Sequence, residues 1–230
     1  MAVSVGATGE LAGGRRPIPS AFIKGPVTGR VSLGPFGLLG DEHVYEDHGG
    51  PDMALLAYPR EHYNHWRSLG LDLPAAAAMG ENLTTEGLLE TDVHLGDIFG
   101  LGSAVVQACQ TRSPCFKLAA RFGRKDMAVM MQDTGYTGYL LRVLIPGEIE
   151  AGDTMTLLGR DDDHEVSINE AGQIMNVNRN DLIGAQRLLA IPSLGSSTRR
   201  MMATRVHKGL ANPTGLHVER LFEPDDHVDS

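Results

Sequence analysis

Residues 95–118, LGDIFGLGSAVVQACQTRSPCFKL, decide how this chain is read. Residues 97–101 and 104–108 are short apolar runs on either side of Gly102-Ser103, a two-residue signal for a β-hairpin. The second run leads into Gln110-Thr111-Arg112-Ser113-Pro114-Cys115-Phe116-Lys117-Leu118. There a strand ends near Gln110, a proline-containing turn follows, and a helix begins at or just after Cys115. Unpaired N–H groups and the positive end of a helix favour a thiolate at such a position. Arg112 and Lys117 push the same way. A thiolate attacks electrophiles and binds soft metals. The same residue reads equally well as a small buried hydrophobe, as most free cysteines are. Cys109, at the end of an apolar strand, reads as structural.

Working outward, the pattern from Ala21 to about Leu158 is mainly β. Residues 3–5 suit a first strand, and residues 27–31, 139–144 and 154–158 suit others. Turns are expected at Pro146-Gly147 and Gly152-Asp153. Helices fall between the strands, at 59–69 with Pro59 in the first turn and Gly70 closing it, at 116–122 before Gly123, and at 126–134 before Gly135. The fold class is therefore mainly β with inserted helices (α+β), a small twisted barrel or curled sheet. After a charged linker at 159–165 the texture turns helical. Ser167 and Glu170 have capping-box spacing. Asn180 or Asp181 starts a second helix that Pro192 stops, and residues 196–207 suit a third. Three short helices bury little alone, so they should pack on the barrel or on a second subunit. The expected organisation is a barrel domain over 1–160, a three-helix region over 161–212 and a flexible acidic tail over 213–230.

The chain has 230 residues and a formal net charge of −9, which argues against non-specific binding to nucleic acid or an anionic membrane. With aromatics at 5%, the core is expected to be built from Leu, Val, Ile, Met and Ala. No apolar run approaches the roughly eighteen residues of a membrane span. The N-terminus lacks the order of a signal peptide. Two cysteines in such a chain are expected to be free thiols, and the compartment to be the cytosol.

Two further clusters bear on chemistry. In His48-Gly49-Gly50-Pro51-Asp52 the paired glycines let a ligand approach the main chain, although a Gly-Gly-Pro turn with a chance histidine reads the same way. Asn82, in Gly80-Glu81-Asn82-Leu83-Thr84, suits either a ligand contact or a loop brace. Arg121, Arg124 and Lys125 read as a solvated helix face, whereas Arg112 beside the thiol suits an anionic ligand. His62 and His65, expected to be exposed, form H-x-x-H without the further ligands of a zinc frame.

In order, GPVTGRV, LLGDEH, HGGPDMALLAYPREHY, GENLTTEGL, the opening stretch and TGYLLRVLIPGEIEAGD resemble the MOSC domain, named after the C-terminal part of molybdenum cofactor sulfurase. The likeness runs from about Ala21 to Leu158. The helical tail resembles the appendage of a bacterial branch that reduces N-hydroxylated bases. The resemblance implies a β-barrel that binds molybdenum–molybdopterin, with Cys115 as metal ligand and catalytic residue. It implies that Arg112, Ser113, Lys117, His48, Gly49, Gly50, Asp52 and Asn82 surround the cofactor. Glu46 and Asp47 stand where the family tends to carry arginines, which removes positive charge beside that site.

The function so implied is a terminal oxidoreductase component reducing small N-hydroxylated substrates such as hydroxylaminopurines. Two cysteines cannot supply the four thiolates an iron–sulfur cluster usually needs, so electrons would come from a separate reductase. The alternatives are a carrier or storage protein for the cofactor, without turnover, and a metal-free reactive-thiol protein. An exposed apolar side on the C-terminal helices would favour a homodimer.

Overall fold

A computed structural model describes residues 1–12, 16–44 and 49–208. The expected tail, together with His48, Glu46 and Asp47, lies outside the described residues. The strands in chain order are β1 (Ala2–Val5), β2 (Gly9–Leu11), β3 (Ile18–Ser20), β4 (Gly25–Pro26), β5 (Val31–Gly34), β6 (Gly37–Leu38) and β7 (Leu55–Pro59). They continue with β8 (Leu83–Thr85), β9 (Ile98–Leu101), β10 (Ala104–Thr111), β11 (Tyr139–Ile145), β12 (Gly147–Ile149) and β13 (Met155–Gly159). Eight of them form one curled sheet in the order β13-β9-β10-β11-β7-β8-β1-β4, and β12-β5-β6 forms a second sheet. All pairings in the large sheet are antiparallel except β7 with β8, which is parallel. The result is a half-barrel with helices, the α+β fold expected.

The hairpin closes at Gly102-Ser103 as read, with Ala104 opposite Leu101 and Gly102 at φ +56. Strand β10 then carries a bulge. Ala108 pairs with Leu141 and Gln110 with Leu140, which leaves Cys109 as the extra residue. Bulges bend a strand and re-aim its side chains. Before the bulge β10 alternates between buried and half-buried residues, whereas beyond it every residue to Thr111 is buried.

The second face of this stretch is covered by the C-terminal helices α4 (Ile168–Gly172), α5 (Leu182–Ala190) and α6 (Ser196–Lys208), with a π-helical turn at Gln173–Val177. Ser167 caps α4 by accepting from Glu170 N at 3.1 Å, and Asp181 caps α5 by accepting from Gly184 N at 2.7 Å. Glu170 does not reach back to Ser167; it pairs with Arg187 at 2.5 Å. Ile168, Ile174, Ala185, Leu188 and Met202 share one buried core with Leu55, Phe99, Val106 and Leu141 of the sheet. The helices thus bury their apolar side on the barrel.

A second core forms under α1 (His62–Ser68), α2 (Lys117–Phe122) and α3 (Met127–Thr134), where Gly123 and Gly135 end their helices with positive φ. Across both cores the expected Leu, Val, Ile, Met and Ala predominate, and aromatics add the bulkiest side chains. Trp66, Tyr58, Tyr63, Tyr139 and Phe99 are the largest fully buried side chains, so the few aromatics are concentrated inside. Each buried polar tip has a partner, as such rings require: Trp66 Nε1 donates to Tyr58 OH at 2.6 Å, and Tyr58 OH donates to the Tyr136 carbonyl at 3.1 Å.

Other expectations need correction. No strand covers 27–31, because Gly29 at φ +76 breaks the run into β4 and β5. Pro59 ends β7 opposite Thr85, and the helix starts at His62. Gly147 opens a strand paired with Leu33 instead of completing a turn. His62 is buried, 2.6 Å from Glu90 and stacked on Tyr136, and His65 is half-buried against the same ring. Among the described residues no helix is long and apolar enough to cross a membrane.

The charged stretch after β13 is anchored. Arg160 grips the fully buried Asp97 through Nε and Nη2, both at 2.7 Å, and Asp97 also accepts from His94 N at 2.9 Å. Arg160→Ala should therefore lower the free energy of unfolding in urea by about 1–3 kcal/mol, the cost of a buried acceptor left short of a partner.

Candidate functional site

Strand β10 ends at Thr111, whose hydroxyl lies 3.0 Å from that of Thr137, and Arg112 N donates to the Gly138 carbonyl at 3.2 Å. The chain then turns through Pro114 into α2, the Cys115 carbonyl accepting from Leu118 N at 3.1 Å. This turn forms part of the wall of a cavity of about 640 Å³ that Asn82, Arg112, Ser113, Cys115 and Lys117 line together. Five of the residues expected around the site thus converge on one space.

Arg112 is the unusual member. It is 9% exposed, it lies over the Phe22 ring at 5.9 Å, and its buried Nη1 has no hydrogen-bond partner among the described residues. Burial pushes its pKa down, while Cys115, Glu81 and Tyr58 offset part of that. Burial likewise lowers Lys117, with Cys115 opposing and Arg112 adding to the shift. A guanidinium held in a low-dielectric setting with an unused donor has the chemistry of a carboxylate or phosphate receptor.

Beside these cations a buried Lys24–Asp41 ion pair braces the cavity wall. Asp41 also accepts from Gly6 N at 2.7 Å and from Asn82 Nδ2 at 2.8 Å. Asn82 Oδ1 accepts from Leu56 N at 3.1 Å, so the Asn82 amide is occupied in fixing β8 against β1 and β7. His43 lines the cavity half-buried. Burial lowers its pKa, Asp41 opposes that, and Lys24 and Lys117 add to it.

The HGGPD loop divides between roles. A Cβ on Gly49 would stand 3.3 Å from the His43 ring, so this glycine seats the histidine. Gly50, at φ +113, starts the 3-10 turn Pro51–Met53. Neither Gly50 nor Asp52 lines the cavity. Asp52 Oδ2 accepts from Ser196 N at 2.7 Å, and Oδ1 meets Arg142 Nη2 at 2.9 Å. Those partners hold its pKa down against burial, so Asp52 caps α6 instead of facing a ligand.

Sequence reading missed the remaining wall. Met175, Arg179 and one side of α6 (Ser197, Arg200, Met201, Thr204, Arg205 and Lys208) complete the cavity. Among the described residues, Lys24, Arg112, Lys117, Arg179, Arg200, Arg205 and Lys208 line it against one carboxylate, Glu42. An available signal was that α6 holds no acidic residue in a chain of net charge −9.

The structure is a half-barrel whose cavity brings Cys115 together with a cluster of cationic side chains. The comparisons give the family. Residues 44–156 match the MOSC domain. The chain is 41% identical over 202 residues to protein YiiM of Escherichia coli, across 86% of this chain and 89% of that one. It is 32% identical to the crystal structure of YiiM from Geobacillus stearothermophilus, with a TM-score of 0.75 over 89% of this chain and 97% of that one. A protein called reductase, from Gibberella moniliformis, is 40% identical over 147 residues, which are 62% of this chain and 26% of that protein. The chain belongs to the MOSC family.

The two cysteines differ sharply. Cys109 is fully buried, its thiol pointing at the Asp52 and Leu140 carbonyls at 3.2 and 3.5 Å, and burial pushes it up to about 12. Cys115 lines the cavity. Iodoacetamide at pH 8, where Cys109 is protonated, should add one carbamidomethyl group per folded chain, at Cys115 by peptide mass spectrometry. Modification of Cys109 at a similar rate would contradict this geometry.

Proposed function

We propose that the cavity binds a molybdenum–molybdopterin cofactor and that the chain is the terminal component of a system reducing small N-hydroxylated substrates such as hydroxylaminopurines. The observation that carries this reading is Arg112, buried beside Cys115 with a donor nitrogen unused. A soft sulfur ligand and a strong oxyanion donor share one enclosed space, which matches a cofactor with a soft metal at one end and a phosphate at the other.

In this reading Cys115 holds the metal, and Arg112, Lys117 and the Ser113 hydroxyl hold anionic groups of the cofactor. Gly49 seats the His43 ring at the cavity wall, and Asn82 keeps the rim in shape through Asp41. When bound, the cofactor supplies two-electron redox chemistry. The chain's own residues orient the substrate and keep water out. Reducing an N–OH group to an amine and water consumes two electrons and two protons. His43 at the cavity wall is placed to relay one of these protons.

Electrons come from a separate reductase, since two cysteines cannot build a cluster.

The test is expression in a host that makes the cofactor, followed by measurement of molybdenum and pterin per chain. The expectation is near-stoichiometric loading of the parent. Cys115→Ser should lower metal occupancy about tenfold or more with the circular dichroism spectrum unchanged, the scale on which ligand and supporting-shell losses act. Arg112→Leu should lower pterin occupancy. Loaded parent that reduces N-hydroxylated bases with a reductase supports the enzyme over a carrier. Folded parent with neither metal nor pterin overturns the reading in favour of metal-free thiol chemistry.

A further inference from the structure

A second group of cations lines the same cavity on a different element. Helix α6 carries Arg199, Arg200, Arg205, His207 and Lys208 and no Asp or Glu, although the chain has 29 acidic against 20 basic residues. Arg199 is spent on the carbonyls of Leu189 and Ile191, at 2.8 and 2.5 Å, which end α5. Arg200, Arg205 and Lys208 face the cavity together with Arg179.

Arg205 donates through both Nη atoms to the carbonyls of Ile174 and Met175, at 2.7 and 2.9 Å, and is fixed there. Its charged neighbours are Arg179, which opposes its protonation, and Asp181, which favours it. Arg200 and Lys208 are exposed at the rim and make no side-chain hydrogen bond or ion pair among the described residues. Among the described residues, Arg200 and Lys208 thus add exposed positive charge to one wall, an arrangement that attracts an anion. This group is distinct from Arg112 and Lys117, which interact electrostatically with Cys115. The rest of the lining includes Phe22, Met53, Leu56, Leu140, Met175 and Met201, apolar surface suited to a planar ring.

We propose that the α6 wall is a phosphate subsite for the substrate, so that the chain takes N-hydroxylated nucleoside 5′-phosphates in preference to free bases. The identity of the reacting base rests on the function proposed above, whereas the phosphate subsite needs no metal to be tested. The cofactor's own phosphate is the other source of the same chemistry, and the experiment separates the two.

Isothermal titration at low salt would compare adenosine 5′-monophosphate with adenosine on three samples. These are cofactor-free protein, molybdenum-loaded protein, and the double variant Arg200→Gln/Lys208→Gln. The expected result is a preference of about tenfold or more for the monophosphate in the first two samples. That preference should fall at least several-fold in the variant and shrink with added salt. Equal affinities in cofactor-free protein would overturn the proposal. So would a preference that vanishes on loading, because the α6 wall would then belong to the cofactor's phosphate. If the parent takes up no molybdenum, the function proposed above fails on that measurement, and the comparison on cofactor-free protein alone decides the subsite.

Discussion

The bulge at Cys109 is the constraint on which the rest of this molecule depends. One extra residue between the Ala108–Leu141 and Gln110–Leu140 pairs releases the Cys109 carbonyl from the sheet, and Gly195 N takes it at 2.9 Å. Beyond the bulge, Gln110 Oε1 accepts from the hydroxyls of Ser197 and Thr198, both at 3.0 Å. With Asp52 on Ser196 N, these contacts dock the start of α6 on the strand that leads into Arg112 and Cys115. A regular ladder would keep these groups within the sheet, and α6 would have no register against β10. The bulge therefore shapes both walls of the cavity, with the thiol on one and the α6 cations on the other.

Placing cations there is costly, and the surrounding structure offsets that cost in different ways. Lys24 is paired with buried Asp41, and Arg205 is satisfied by two carbonyls. Arg112 has Cys115 and Glu81 as partial compensation, and its Nη1 has no hydrogen-bond partner among the described residues. Unsatisfied buried donors are rare in native proteins because each forfeits solvation without return. Arg112 Nη1 is such a donor, and it stands in the cavity wall that Cys115 shares. The electrostatics thus bear on chemistry, whereas the half-barrel by itself fixes only where that chemistry happens.

Much of the fold was legible because its signals are local. Gly102-Ser103 set the hairpin, Ser167 and Asp181 capped their helices, and Gly123 and Gly135 ended theirs. The core of the site was legible for the same reason, since Arg112, Ser113, Cys115 and Lys117 lie within one turn of chain. Long-range features were not. Asp52 and Ser196 are 144 residues apart, and no local pattern announces that the carboxylate of HGGPD caps the last helix. The two-residue strands β4 and β6 are too short to carry periodicity. His62 read as exposed on an H-x-x-H helix because its partners, Glu90 and Tyr136, come from distant segments.

The central claim is that Cys115 is the thiolate that joins this chain to a molybdenum centre. X-ray absorption at the molybdenum edge, on loaded parent and on Cys115→Ala protein reconstituted with excess cofactor, tests it directly. The account predicts one fewer sulfur in the metal's coordination shell in the variant, with the pterin still bound. An unchanged sulfur count would contradict it and make Cys115 a bystander in the cavity it lines.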